Sequence, residues 1–347
     1  MKGRILMQRS DLITALEYVK PGLADKEHIV QSTSFAFIKG KVVTYNDEIS
    51  VSHPVPELNI EGAIQAEELY KILSKLKKEE LDITMNGSEI IFTSGKVRTG
   101  FVLQDKIKLP LDAIGSHSKW KPLPTDLFKA LNFVSFACSS DMSRPLLTCI
   151  NIKEDGDIEA SDGYRIVIHH AFKKTGLPIK TVLIPATTIR KIWKNTFVEI
   201  AEGEGWIHFK TDVGTVFSCR TFYGDEFPNV GKYTDIEGMD FEFPQTIEDV
   251  LDRASVFCKK QELDSDEITI TLRKRRMVVR GQSTVGWFEE EVNLRYDGEE
   301  KSFSINPELL KDVLSLLKKC ILSDNAIKFI GTDWEYVSIL KAKESEA

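Results

Sequence analysis

"QAEELYKILSKLKK", residues 65–78, decides how the chain reads. Leu69, Ile72, Leu73 and Leu76 recur at i, i+3, i+4 spacing, the mark of a helix with one apolar stripe and a polar remainder. The same kind of segment returns as "IPATTIRKIWKN" (184–195) and "INPELLKDVLSLLKK" (305–319). Ile189, Ile192 and Trp193 form the stripe of the first, and Leu310, Val313, Leu314 and Leu317 that of the second. Leu69, Ile189 and Leu310 stand 120 and 121 residues apart, as do Leu73, Trp193 and Leu314. A period of that length, held twice, is an internal repeat.

A second helical signal precedes each of these. "RSDLITALEYV", "LPTDLFKALNFVSFAC" and "FPQTIEDVLDRASVFC" begin near residues 10, 125 and 246. Ser10 or Asp11 is the expected cap of the first, and Pro124 and Pro244 sit near the starts of the others. Between the two helices of each repeat lie short runs of alternating polarity broken by the turns "KGK", "EDGD" and "RKRR". More strands follow the second helix. The third repeat offers only "AIKFIGTDWEYVSILKA" there, so its last hairpin is expected to be trimmed. Each repeat thus reads helix, strands, helix, strands. A helix with one apolar stripe needs a sheet to cover, so the expected class is α+β, with two helices packed on antiparallel sheet in each of three domains. "KWKPLP" (119–124) and "YTDIEGMDF" (233–241) are the expected linkers, giving domains over 1–118, 119–238 and 239–347.

The 347 residues carry 46 Lys plus Arg against 53 Asp plus Glu, a formal charge of -7. That argues against a protein coated in basic charge but leaves room for a local basic surface. Five cysteines without a CxxC pair point away from a zinc site or a disulfide framework and toward a reducing compartment. The first residues soon turn polar, unlike a signal peptide, and no apolar run is long enough to span a bilayer. A cytoplasmic protein without membrane partners is expected.

The second helices carry cations off their apolar stripes: Lys71, Lys75, Lys77 and Lys78; Arg190, Lys191 and Lys194; Lys311, Lys318 and Lys319. Lys129, Lys259 and Lys260 belong to or follow the first helices. A solvated face explains any one of these sets. All three together suit an arc of domains, helices inward, whose basic lining attracts a phosphate backbone without reading bases. Glu67, Glu68 and Asp312 dilute it.

Four further stretches carry a resemblance. "DGYRIV" (162–167) is similar to an Asp-Gly-His-Arg-Leu motif, and "GDEFPNV" (224–230) to a Gly-Arg-Phe-Pro-Asp segment. "GAIQAEELYKILSKL" (62–76) and "RPLLTCINI" (144–152) complete the order. Together, and over essentially the whole chain, they resemble the bacterial sliding clamp, the beta subunit of DNA polymerase III, as a divergent member for which a virus-encoded origin would fit. The resemblance implies a head-to-tail homodimer closed into a ring around duplex DNA, held without sequence preference. It also implies a DNA polymerase tethered for processivity, an ATP-dependent clamp loader as partner, and no cofactor, metal or catalysis.

The resemblance further implies a pocket for a partner's peptide, carried here by Ser161, Gly163, Tyr164, Arg165 and Ile166, with Leu146, Ile339 and Leu340 as apolar wall. Tyr164 replaces the family's histidine, the sequence past "EFPNV" offers no second pocket proline, and "YVSILKAKESEA" stands where the family ends Met-Pro-Met-Arg-Leu. On the residues alone, Gly163 permits a tight turn, Ile166, Leu146 and Ile339 form an apolar floor, and Tyr164 and Arg165 stand at the rim. An ordinary turn between core strands fits them too. For ring closure the implied edges are "KVRTGFVL" (96–103), with Lys96, Arg98 and Phe101, and the third-domain strand with Glu289, Glu290 and Glu291.

Two rivals remain. A non-encircling three-domain protein-binding scaffold has the same repeats. An enzyme lacks support, because no GxGxxG, Walker loop, HExxH or GxSxG occurs. His169 and His170 read as strand-edge residues, and Asp155 and Asp157 as a hairpin turn rather than a metal loop.

Overall fold

A computed structural model describes residues 4–223, 226–258 and 267–342. The helices fall where the apolar stripes place them: α1 Arg9–Val19, α2 Ala66–Lys75, α3 Leu127–Val134, α4 Ala186–Ile192, α5 Ile247–Ser255 and α6 Pro307–Leu314. Leu69, Ile189 and Leu310, equivalent in the repeat, are all fully buried. Leu73 and Leu314 are buried as well, but Trp193 at the equivalent position is 36% exposed and leaves the stripe. The local reason is length: α4 ends at Ile192, so Trp193 is its cap rather than its body.

Capping follows sequence in α6, where Pro307 starts the helix and Asn306 accepts a hydrogen bond from the Glu308 N–H at 2.9 Å. It does not in α1. Neither Ser10 nor Asp11 caps that helix, which begins at Arg9. Its first amides are met instead by Glu79, whose carbonyl accepts from Arg9 N at 2.6 Å and whose carboxylate accepts from Ser10 N at 3.1 Å.

The chain forms two compact units, Met1–Lys129 with Leu177–Gly224, and Ala130–Gly176 with Asp225–Ala347. In the first, a four-stranded antiparallel sheet runs in the order Arg4–Gln8, Glu80–Asn86, Glu89–Ser94, Val97–Val102. An eight-stranded sheet runs Gly62–Gln65, Ser34–Ile38, Lys41–Tyr45, Ile49–Pro54, Val216–Arg220, Trp206–Thr211, Phe197–Gly203, Lys121–Pro122. Its middle seam joins strands far apart in sequence, with Ser52 opposite Val216 and Ile49 opposite Cys219. Leu12, Ala15, Leu16 and Val19 of α1 are buried, and the helix lies against Lys41–Tyr45 and Ile49–Pro54 and beside α2. Phe128 stacks on Phe197 at 4.2 Å between centroids and meets Phe209 edge-on at 4.8 Å.

The second unit repeats the plan. Its larger sheet contains Cys149–Ile152, Ile158–Ser161, Arg165–His169, Trp334–Ile339, Ala326–Ile330, Lys319–Leu322 and Met239–Glu242 in that order. The seam here sets Arg165 opposite Ser338 and His169 opposite Trp334. A five-stranded sheet follows the order Gly286–Asn293, Arg276–Ser283, Ile268–Arg273, Lys301–Ile305, Lys341–Ala342, with α5 against its first two strands and α6 beside α5. The expected trimmed hairpin is not found. Three strands, Lys319–Leu322, Ala326–Ile330 and Trp334–Ile339, follow α6 just as three follow α2. Lys319–Leu322 was hidden because "LLKKCIL" continues the helical stripe without a break, while the helix stops at Leu314.

Candidate functional site

The motif "SDGYR" forms a self-bonded turn between Ile158–Ser161 and Arg165–His169. Ser161 donates its hydroxyl to the Arg165 carbonyl at 2.7 Å and accepts from Gly163 N at 3.1 Å. One Asp162 oxygen accepts from the amides of Tyr164 and Arg165 at 2.9 and 3.0 Å, and the other from Arg165 Nε at 2.9 Å. Gly163 has φ +93°, and a Cβ there would lie 3.2 Å from Arg144 Nη1, so this position requires glycine.

Arg165 is not a rim residue. Its side chain is only 12% exposed, and its guanidinium donates to Asp162, to Asp312 Oδ2 at 2.5 Å and to the Phe136 carbonyl at 2.7 Å. It ties the turn to α6 and to the segment after α3, leaving Tyr164 to face outward. The Tyr164 carbonyl accepts from Ile339 N at 3.0 Å, which seats the exposed Tyr164 and Ile339 side by side.

They stand at the wall of a groove of about 1100 Å³ lying wholly within the second unit. Ser161, Gly163, Tyr164, Arg165, Ile166 and Ile339 of the expected set line it. Two expected residues do not. Leu147 lines it instead of Leu146, because Pro145–Thr148 is a 3-10 turn in which successive side chains point a third of a turn apart. Leu340 is buried, its amide given to the Asn325 carbonyl at 2.8 Å. The sequence reading missed Pro228, Val230, Tyr233, Ile236 and Met239, which form the opposite wall. "EFPNV" was the available signal for the first two; Tyr233 ends a 3-10 turn, Ile236 follows on irregular chain, and Met239 opens the short strand Met239–Glu242, a stretch with no periodicity to read. Lys328 fixes that segment by donating to the Thr234 carbonyl at 2.6 Å while paired with Glu335 at 2.6 Å. The lining thus mixes apolar and aromatic side chains with polar and charged ones, among them Lys232, Asp235, Glu237 and Asp324, so that a peptide could find both apolar seats and polar partners. Tyr164 and Ile339 also line a smaller hollow of about 320 Å³ beside Asn306 and Glu308.

The basic residues divide. Lys71 pairs with Glu67 within α2, and Lys75 ends that helix, with Lys77 and Lys78 just beyond it. Lys129 meets Asp126 at 2.6 Å and stays exposed. Arg190 and Lys191 lie on α4 and Lys194 just past it, all exposed, with Lys191 3.8 Å from Glu48. The third set departs from expectation. Lys311 is held by Asp252 at 2.8 Å and Glu308 at 3.1 Å, bridging α5 and α6. Lys318 donates to the Leu314 carbonyl at 2.6 Å and pairs with Glu248. Only Lys319, which opens a strand rather than belonging to α6, is exposed. Lys259 and Lys260 lie outside the described residues.

The residues expected at a subunit edge do lie on sheet edges. Val97–Val102, with Arg98 and Phe101, ends the four-stranded sheet, Lys96 sits in the turn before it, and Gly286–Asn293 ends the five-stranded one. Glu289, Glu290 and Glu291 each already face an arginine of their own unit: Arg280 at 3.5 Å, Arg253 at 2.8 Å and Arg276 at 3.1 Å.

His170 lies 2.8 Å from buried Asp157, which also accepts from Lys173 at 2.7 Å, so these groups brace a hairpin. Among the described residues no helix is long and apolar enough to cross a membrane.

No family model matches the sequence, and no curated protein matches it. The fold is another matter. The DNA polymerase III beta chain of Streptococcus pneumoniae is similar with a TM-score of 0.85 at 19% identity, over 99% of this chain and 100% of that one. The sliding clamp of Bacillus subtilis gives 0.81 at 18%, again over 99% and 100%. The sliding clamp of Bartonella birtlesii bound to griselimycin gives 0.84 at 18% over the same shares. Helix order, both seams and the groove-bearing turn therefore sit in one known architecture: this chain has the fold of the DNA polymerase III beta-subunit sliding clamps.

Proposed function

We propose that the chain is a DNA polymerase processivity factor, a sliding clamp of three domains, 1–118, 119–238 and 239–347, that closes into a ring as a head-to-tail homodimer. The observation that carries this is a rule of strand pairing. In each seam, the last strand but one before a repeat's second helix pairs with the third strand after the next repeat's second helix. The chain satisfies the rule twice and leaves one strand of each kind over, Gly286–Asn293 and Val97–Val102, both on edges. A second copy supplies the missing partner and removes both edges.

The rule also supplies a register. Pro54 and Asn293 are equivalent through their hairpin partners Lys41 and Arg276, and Arg220 and Val102 through Trp206 and Glu89. On that equivalence the observed pair Ser52–Val216 becomes Glu291 opposite Arg98 of the other copy. Phe101 then faces Phe288, and Val102, 75% exposed, faces Trp287, 61% exposed. The register thus sets charge against opposite charge at Arg98 and apolar surface against apolar surface at Phe101 and Val102, with Glu290 and Glu289 opposite Thr99 and Gly100 between them.

In this reading the exposed cations of α2, α3 and α4 attract the phosphate backbone of an encircled duplex, and the groove at Tyr164 receives a peptide of the polymerase and of an ATP-dependent loader. No catalytic step is assigned to the chain. The test is topological. Protein loaded on circular DNA is expected to stay through gel filtration and to leave when the circle is cut; equal retention on both forms favours the non-encircling scaffold.

A further inference from the structure

We propose that α4 carries a stacking platform for an unpaired DNA base, centred on Trp193, so that the protein contacts single-stranded template beside the duplex. The inference rests on the DNA-binding reading above and adds a ligand class to it. Trp193 stands where the equivalent helices bury Leu73 and Leu314, yet it is 36% exposed. Because α4 ends at Ile192, its cap position presents an indole at the surface where the other repeats bury leucine.

Its neighbours define the ligand. Arg190 precedes it by three residues on the same helix face, Lys191 is exposed two residues back, and Lys194 Nζ lies 5.8 Å from the indole centroid. α2 and α6 both mix acids among their cations, Glu67 and Glu68 in one, Glu308 and Asp312 in the other. α4 has none, and no Asp or Glu occurs between Gly163 and Val198 in a chain holding 53 of them. Glu48 approaches Lys191 at 3.8 Å. An exposed aromatic face framed by cations is the combination that holds single strands: phosphates meet the cations, and any base can stack. Duplex DNA offers phosphates but no free base face, so the indole distinguishes the two.

The experiment measures anisotropy of labelled oligo-dT and of a blunt duplex with the full chain, its W193A and W193F variants, and K191A. Loss of one stacking contact is expected to weaken oligo-dT binding about fivefold in W193A. W193F should retain most of it, duplex binding should be unchanged in both, and K191A should weaken both ligands alike. Oligo-dT should quench tryptophan fluorescence in the native chain and not in W193F. Oligo-dT affinity unchanged in W193A, or lowered equally with duplex affinity, overturns the platform. Encirclement is read separately by retention on circular against cut DNA, so either idea can fail alone.

Discussion

Replacing Trp287 by alanine is expected to open the ring without unfolding the subunit. The indole is 61% exposed on the edge strand Gly286–Asn293. A tryptophan offers about 200 Å² of surface, so about 120 Å² of it remains to be covered by Val102 and its neighbours in the other copy. At about 25 cal/mol per Å² that is about 3 kcal/mol if coverage were complete. A rim position achieves about half, or about 1.5 kcal/mol per contact. A head-to-tail pair makes the contact twice, so the variant loses about 3 kcal/mol and its dimer dissociation constant rises about a hundredfold. Sedimentation equilibrium over a dilution series measures this directly. The urea midpoint of the isolated chain should hardly move, because the side chain is already in water there. A variant that dimerises as tightly as the native chain would refute the register, and a native chain that is monomeric throughout would refute ring closure.

Truncating Tyr164 and Ile339 together to alanine should weaken binding of a polymerase-derived peptide more than tenfold by calorimetry, with little effect on the melting temperature, since both side chains are exposed. Burial, with the nearby His117, pulls the His208 imidazole down to about 4. Its folded form therefore resists protonation: the stability it contributes is present above the ordinary value near 6.5 and is lost as pH falls toward 4, about 3 kcal/mol in all. Urea midpoints between neutral pH and 4 should show this fall, and H208F should flatten it. Lys194→Ala should lower the salt slope of DNA binding by about one charge, whereas Lys311→Ala, which strips a cation from Asp252 and Glu308, should leave that slope unchanged.

The helices and their threefold recurrence were legible in the residues, because an apolar stripe at helical spacing is a local property that burial then enforces, as at Leu69, Ile189 and Leu310. So was the glycine turn at 163, whose serine and aspartate close on their own backbone. Three things were decided only in three dimensions. The strand Lys319–Leu322 was written in the same apolar pattern as the helix before it, and pairing with Met239–Glu242 and Ala326–Ile330 made it a strand. The partners of a charge were equally hidden: Lys311 and Lys318 read as free cations until Asp252 and Glu248, about sixty residues and more away, closed on them. The far wall of the groove, from Pro228 to Met239, has no period to read, and its place is set by long-range bonds such as Lys328 to Thr234. Periodicity reports what each segment does with its own neighbours. Which segments become neighbours is a property of the folded chain, because the contacts that decide it are distant in sequence and leave no local pattern.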